Sequence, residues 1–122
     1  MASKPEPDAF RIETVRLDHT TLLVVHGELD LATAPQLRDA TTTASHDVER
    51  LIIDLSQATF IDSVGICTLV EASRCSTHRS IELIVMTISG SPVERTLAIV
   101  DGDSVLAITH EQRGSASPPG AI

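Results

Sequence analysis

The chain reads as an α/β protein. We expect one domain with a mixed, mostly parallel sheet of four to five strands, helices packed on it, and the order ββαβαβαβ. Three observations carry that reading. Aliphatic runs recur at 22–25, 51–55 and 81–88, the form of buried strands. Helix-start signals follow them at Thr33–Gln36, at Asp62-Ser63-Val64-Gly65 and at Ser91–Glu94. A hydrophobic fraction of 42% in 122 residues suits a single domain with a real core.

Each element follows in turn. Residues 1–8 hold Pro5 and Pro7 among charges and are expected to be a flexible lead. Phe10, Ile12 and Thr14 alternate with polar residues, and Val15 and Leu17 continue, which predicts an edge-like strand. Asp18-His19 is a turn candidate. The run at 22–25 is a second, more buried strand, ended by Gly27-Glu28-Leu29-Asp30. Thr33-Ala34-Pro35-Gln36 has the form of a capping box, with Thr33 as N-cap and Gln36 three residues on. Pro35 falls in the first turn, where its missing N–H does no harm. The first helix is expected over 34–45, with Leu37, Ala40 and Ala44 facing a core.

The run at 51–55 fits a strand buried on both faces. A short polar loop follows, then a helix over 63–76 with Ile66, Leu69, Val70 and Ser73 on one face. The next strand is 81–88. Ser91-Pro92-Val93-Glu94 is a second capping box, with Pro at the first helical position. Val93, Leu97 and Val100 then face inward, and Gly102 can stop the helix. Residues 105–109 make a short last strand. Residues 111–122, rich in Gly, Ser and Pro, are read as a disordered tail, so the domain spans 9–110.

Composition excludes several classes. Nine Lys+Arg stand against seventeen Asp+Glu, a net charge of −8. Direct nucleic-acid binding draws most of its strength from Lys and Arg on phosphates, so it is not expected. Aromatics are 2%, too few to stack single-stranded bases. No apolar stretch reaches the roughly 18–20 residues of a membrane span, and 1–8 holds no signal segment. The cytoplasm is therefore the expected compartment, with no membrane partner. The five histidines, at 19, 26, 46, 78 and 110, lack metal-ligand spacing. No Walker-type loop is present, which argues against a nucleotide sensor, and no cofactor is expected. Glu28 and Asp30 lie two apart at a strand end with no nucleophile or base tied to them; they read as a rim that touches a partner. Ser63 lacks the Gly-x-Ser-x-Gly elbow, so no enzyme is expected. Cys67 and Cys75 would lie about 12 Å apart along one helix. A disulfide needs Cα atoms within about 7 Å, so the two are read as buried thiols acting as small apolar residues.

The stretch 51–66 is the most informative. It sets Asp62 and Ser63 at a helix N-terminus, where free N–H groups and the helix dipole favour negative charge. A serine held there is placed to carry a phosphate; it is also a preferred N-cap. Asp62 can stabilise the same helix end. Gly65 fits either tight helix–sheet packing or the approach of a partner backbone.

Two segments resemble the STAS fold, and specifically the small bacterial anti-sigma factor antagonists. One is Gly27-Glu28-Leu29-Asp30 with Ala32-Thr33-Ala34-Pro35-Gln36-Leu37. The other, more specific, is Asp54-Leu55-Ser56 through Phe60-Ile61-Asp62-Ser63-x-Gly65. The resemblance covers most of the chain, from Phe10 to about Thr109. It implies a non-enzymatic regulator of transcription. Its partner would be an anti-sigma factor that is also a serine kinase, with Ser63 as the phosphorylated residue. The unphosphorylated form would bind the anti-sigma factor and free the sigma factor; a serine phosphatase would reset it. Asp62, Ser63, Val64, Gly65, Glu28, Asp30 and Thr33 would form the partner-binding surface, and a homodimer is left open. The chain departs from the family pattern at Val64 and Cys67. It also offers Glu111-Gln112-Arg113-Gly114-Ser115 and Pro118-Pro119 where members close with a further amphipathic helix. Two alternatives stay open: an accessory STAS subunit of a signalling or transporter complex that is never phosphorylated, and a small-molecule or nucleotide sensor.

Overall fold

The computed structural model describes residues 9–100 and 108–111. Its elements are β1 (Arg11–Leu17), β2 (Thr20–Leu29), α1 (Ala34–Ala44), β3 (Arg50–Asp54), β4 (Ala58–Ile61), α2 (Ser63–His78), β5 (Glu82–Ile88), α3 (Pro92–Val100) and β6 (Ile108–Glu111). The sheet runs β1-β2-β3-β5-β6, with β4 pairing β2 off that path. Only β1 is antiparallel to its neighbour. The fold is thus the expected mixed, mostly parallel α/β arrangement, with one strand more than the sequence reading allowed.

That extra strand is a correction. The polar stretch after β3 looks like a loop because Ser56-Gln57-Ala58-Thr59 has no hydrophobic periodicity. The β2–β3 ladder stops at Val24↔Asp54. Asp54 then turns the chain, its Oδ1 accepting from Ser56 N at 2.8 Å. β4 takes over beside the second half of β2, from Gly27↔Ala58 to Leu29↔Ile61, with a register shift between Gly27 and Glu28. Gly27 has φ +88 there, a conformation that a residue without Cβ adopts freely. Backbone pairing, not side-chain pattern, makes this strand.

The crossovers β2–α1–β3, β3–α2–β5 and β5–α3–β6 all step the same way along the sheet. Right-handed connections therefore set all three helices on one face. Leu23, Val25, Leu51, Ile53, Leu83 and Val85 point to that face and meet Leu37, Leu69, Val93 and Leu97 in one core. Leu22, Val24, Ile52, Ile84 and Met86 point the other way and are half-buried. The strand at 51–55 is therefore not buried on both faces; helices cover one side of it.

Most helix boundaries agree with expectation, but the inward faces differ in detail. α1 buries Ala34, Leu37, Thr41 and Ala44, with Ala40 half-buried. α2 buries Gly65, Thr68, Leu69, Ala72 and Ser76, while Ile66, Val70 and Ser73 are half-buried at the margin. Cys67 and Cys75 are both exposed, which overturns their reading as buried thiols. Small residues line the inner side of α2, so the thiols fall to the outer side. At α3 the Ser91 cap forms, its Oγ accepting from Glu94 N at 3.1 Å, while Glu94 reaches one residue further back and accepts from Gly90 N at 2.9 Å. The one at α1 does not, because Thr33 makes no side-chain cap bond to the helix. β6 ends at Glu111, where the sequence reading begins the tail. The readings placed on 1–8, on Gly102, on 105–107 and on 112–122 lie outside the described residues. Among the described residues no helix is long and apolar enough to cross a membrane.

Candidate functional site

The ends of β2 and β4 bring two loops together at the carboxyl edge of the sheet, where open α/β sheets place their sites. β4 delivers Asp62 as the N-cap of α2. Its two carboxylate oxygens do separate jobs. Oδ1 accepts from Gly65 N at 2.8 Å and closes the first helical turn. Oδ2 accepts from Leu31 N at 3.2 Å, across from the loop after β2. Asp62 N in turn donates to Leu29 O at 3.2 Å. One carboxylate thus ties the helix start to the neighbouring loop.

That loop is held from within. Asp30 Oδ1 accepts from Ala32 N at 3.0 Å and Thr33 N at 3.1 Å. The Thr33 hydroxyl donates to Glu28 O at 2.7 Å and accepts from Asp30 N at 2.9 Å. So Thr33 braces the loop rather than capping α1, and Asp30 acts beside it as an Asx-turn. Glu28 is exposed and makes no side-chain bond among the described residues.

Ser63 is the first residue of α2 and is exposed. Its hydroxyl has no hydrogen-bond partner among the described residues. Because Asp62 is the cap, the cap reading of Ser63 falls away. Val64 beside it is half-buried. Gly65 is buried, and a Cβ there would meet Leu29 O at 2.7 Å, Ile61 Cγ1 at 2.8 Å and Leu29 Cγ at 2.9 Å. Glycine at this position serves close packing of α2 against β2 and β4; its side faces inward.

The site therefore gathers Asp62, Ser63 and Val64 with Glu28, Asp30 and Thr33, over a buried Gly65. The sequence reading missed two neighbours. Leu31 is 70% exposed and Phe60 is 48% exposed. Leu31 follows Asp30 on the loop that Asp62 holds, and Phe60 lies two residues before Asp62. Large apolar side chains left in water beside a polar centre would suit a contact surface. The signal in the sequence was their position, Phe60 inside one motif and Leu31 between the two parts of the other, whereas hydrophobic patterning alone assigns both to the core. Among the described residues no group of His, Cys, Asp or Glu could hold a metal ion.

Helices on one face of a largely parallel sheet, with a capped helix start and an exposed hydroxyl at its edge, define a small α/β domain with a candidate site on its surface. A family model described as the STAS domain matches residues 11–112, and the chain belongs to that family. Its fold is similar to that of an anti-sigma factor antagonist from Mycobacterium paratuberculosis, at 24% identity over 86% of this chain and 89% of that one, TM-score 0.67. It is also similar to SpoIIAA, an anti-sigma factor antagonist. The Bacillus protein in its phosphorylated form matches at 22% identity over 86% of this chain and 93% of that one, TM-score 0.63. The unphosphorylated form matches at 23% identity over 83% and 87%, TM-score 0.61. No curated protein matches this chain.

Proposed function

We propose that this protein is an anti-sigma factor antagonist whose binding is switched off by phosphorylation of Ser63. The unphosphorylated form binds an anti-sigma factor that is also a serine kinase, and so frees a sigma factor. The kinase modifies Ser63 and is released; a serine phosphatase resets the switch. The chain itself performs no catalysis and acts in the cytoplasm. The observation that carries this reading is the exposed Ser63 hydroxyl at the start of α2, without a hydrogen-bond partner among the described residues. The fold likeness to antagonists solved with and without phosphate supports it.

Physical magnitudes agree with a switch that acts on binding and not on fold. A phosphoserine adds a charge of about −1.5 to −2. The helix dipole offsets part of any local cost, by roughly 0.3–1 kcal/mol. Asp62 repels the new charge, but with solvent at hand this amounts to about 1–2 kcal/mol. The free domain stays folded. In an interface, a dianion without a cation partner costs several kcal/mol. Each 1.4 kcal/mol is about tenfold in affinity, so a loss of roughly a hundredfold follows.

The test pairs the protein with a candidate anti-sigma kinase and ATP. Mass spectrometry should place the phosphate on Ser63. Ser63→Ala should bind and resist release, whereas Ser63→Glu should stay folded and bind about a hundredfold more weakly. Label on another residue, or a Ser63→Glu protein that binds as tightly as the parent, would sink the proposal. Recovery of unphosphorylated protein in a membrane complex from its own cells would favour the accessory-subunit reading.

A further inference from the structure

A second polar site lies away from Ser63, between α1 and the edge hairpin. In the β1–β2 ladder Arg16 pairs with Thr21 and Thr14 with Leu23. Cross-strand partners share a face, so Thr14 and Arg16 project to the side that α1 covers. There, with Asp39 and Thr43 of α1, they line an open groove of about 370 Å³; all four side chains are exposed. That volume falls in the range of small-molecule sites, roughly 300–1,000 Å³.

Thr21 lines this groove at 1% exposure. Its Oγ1 is the one buried side-chain polar atom without a hydrogen-bond partner among the described residues. A buried hydroxyl left unpaired is costly, and native structures rarely keep one without a use. The side chains of Thr14, Asp39 and Thr43 also make no hydrogen bond or ion pair among the described residues. Arg16 donates one N–H to His46 O at 2.9 Å. That bond anchors the guanidinium and leaves the rest of its fork available.

The charges choose the ligand class. One cation and one anion flank three hydroxyls. A phosphate would meet the Asp39 carboxylate, and a diamine would meet Arg16. A zwitterion suits both: its carboxylate lies on the Arg16 fork, its ammonium on Asp39, and its remaining acceptor takes the Thr21 proton. We propose that the groove between β1 and α1 binds a free α-amino acid. This site is independent of the Ser63 switch.

The test titrates the full chain with each of the common amino acids at millimolar concentration, read by backbone amide NMR shifts. At least one should move the amides of Thr14, Thr21, Asp39 and Thr43 while leaving Ser63 in place. Asp39→Asn, which keeps the side chain's shape but removes its charge, should weaken that amino acid at least tenfold. The same variant should not weaken the matching carboxylate that lacks the amine. Thr21→Val should lower affinity yet raise the melting temperature of the free protein, because it removes the orphan hydroxyl. Three results would each overturn the assignment. One is that no amino acid moves these amides. Another is binding indifferent to Asp39→Asn. The third is a crystal structure in which a lone ordered water satisfies Thr21 while amino acid is in excess.

Discussion

Asp62 and Gly65 show how little freedom the residues around Ser63 have. Asp62 spends one oxygen on its own helix and the other on Leu31, so the cap and the inter-loop tie are one group. At Gly65 the obstructing atoms include the Leu29 carbonyl, a backbone atom that no rotamer change can move aside. Gly65→Ala should therefore destabilise by about 1–3 kcal/mol, as overpacking does, despite the gain in helix propensity. Thermal unfolding checks this; an unchanged or higher melting temperature would mean α2 can slide outward at no cost. Ser63→Ala next door should leave the melting temperature nearly untouched, because its hydroxyl bonds to nothing in the described fold. The contrast separates a residue the fold needs from one it does not. Sequence reading found both positions. It left Gly65 open between packing and partner contact, because a glycine's neighbours in space do not show in its neighbours in sequence.

At the scale of elements, the parallel core was readable because aliphatic runs and helix-start signals alternate. What was not readable was how β2 divides its partners. Its first half pairs β3 and its second half β4, and the switch falls at Gly27. Ala58-Thr59-Phe60-Ile61 holds strand-prone residues but is only four long and lacks a clear alternation, so hydrogen bonding to β2 supplies the stability that side-chain pattern usually signals. Capping shows the same limit. Ser91 and Thr33 begin equally good sequence boxes, yet only Ser91 caps, since the Thr33 hydroxyl is drawn to Glu28 O. The one-sided cover of the sheet was hidden too, because Ile52 and Ile53 look alike in sequence. Their mutation should tell them apart. Ile53 is fully buried and Ile52 half-buried. Ile53→Ala should cost about 2–5 kcal/mol and Ile52→Ala markedly less, measured by urea denaturation. Equal costs would show that something covers the outer face in solution.

Across the whole molecule, β2 is the hub, paired with β1, β3 and β4, whereas β1 is an edge with Val15 and Leu17 exposed. Local stability should follow that layout. In native-state hydrogen exchange, the amides of Leu23, Val25 and Ile53 should open only with global unfolding, while those of β1 exchange through smaller openings. Protection in β1 equal to that in β2 would mean that the hairpin opens only with the whole. The layout also has a practical side for anyone attaching a probe. Because β1 runs antiparallel to β2, Arg11 stands opposite His26, just short of the Glu28–Thr33 loop. β6 likewise runs parallel to β5 and finishes opposite Ile88. A fusion joined directly to Arg11 or Glu111 would start from the same rim as Ser63 and would crowd the partner proposed to dock there. The turn at Asp18-His19 lies a seven-residue strand away, about 24 Å, on the opposite rim. A fluorophore placed there would report from a distance without shading the surface proposed to bind.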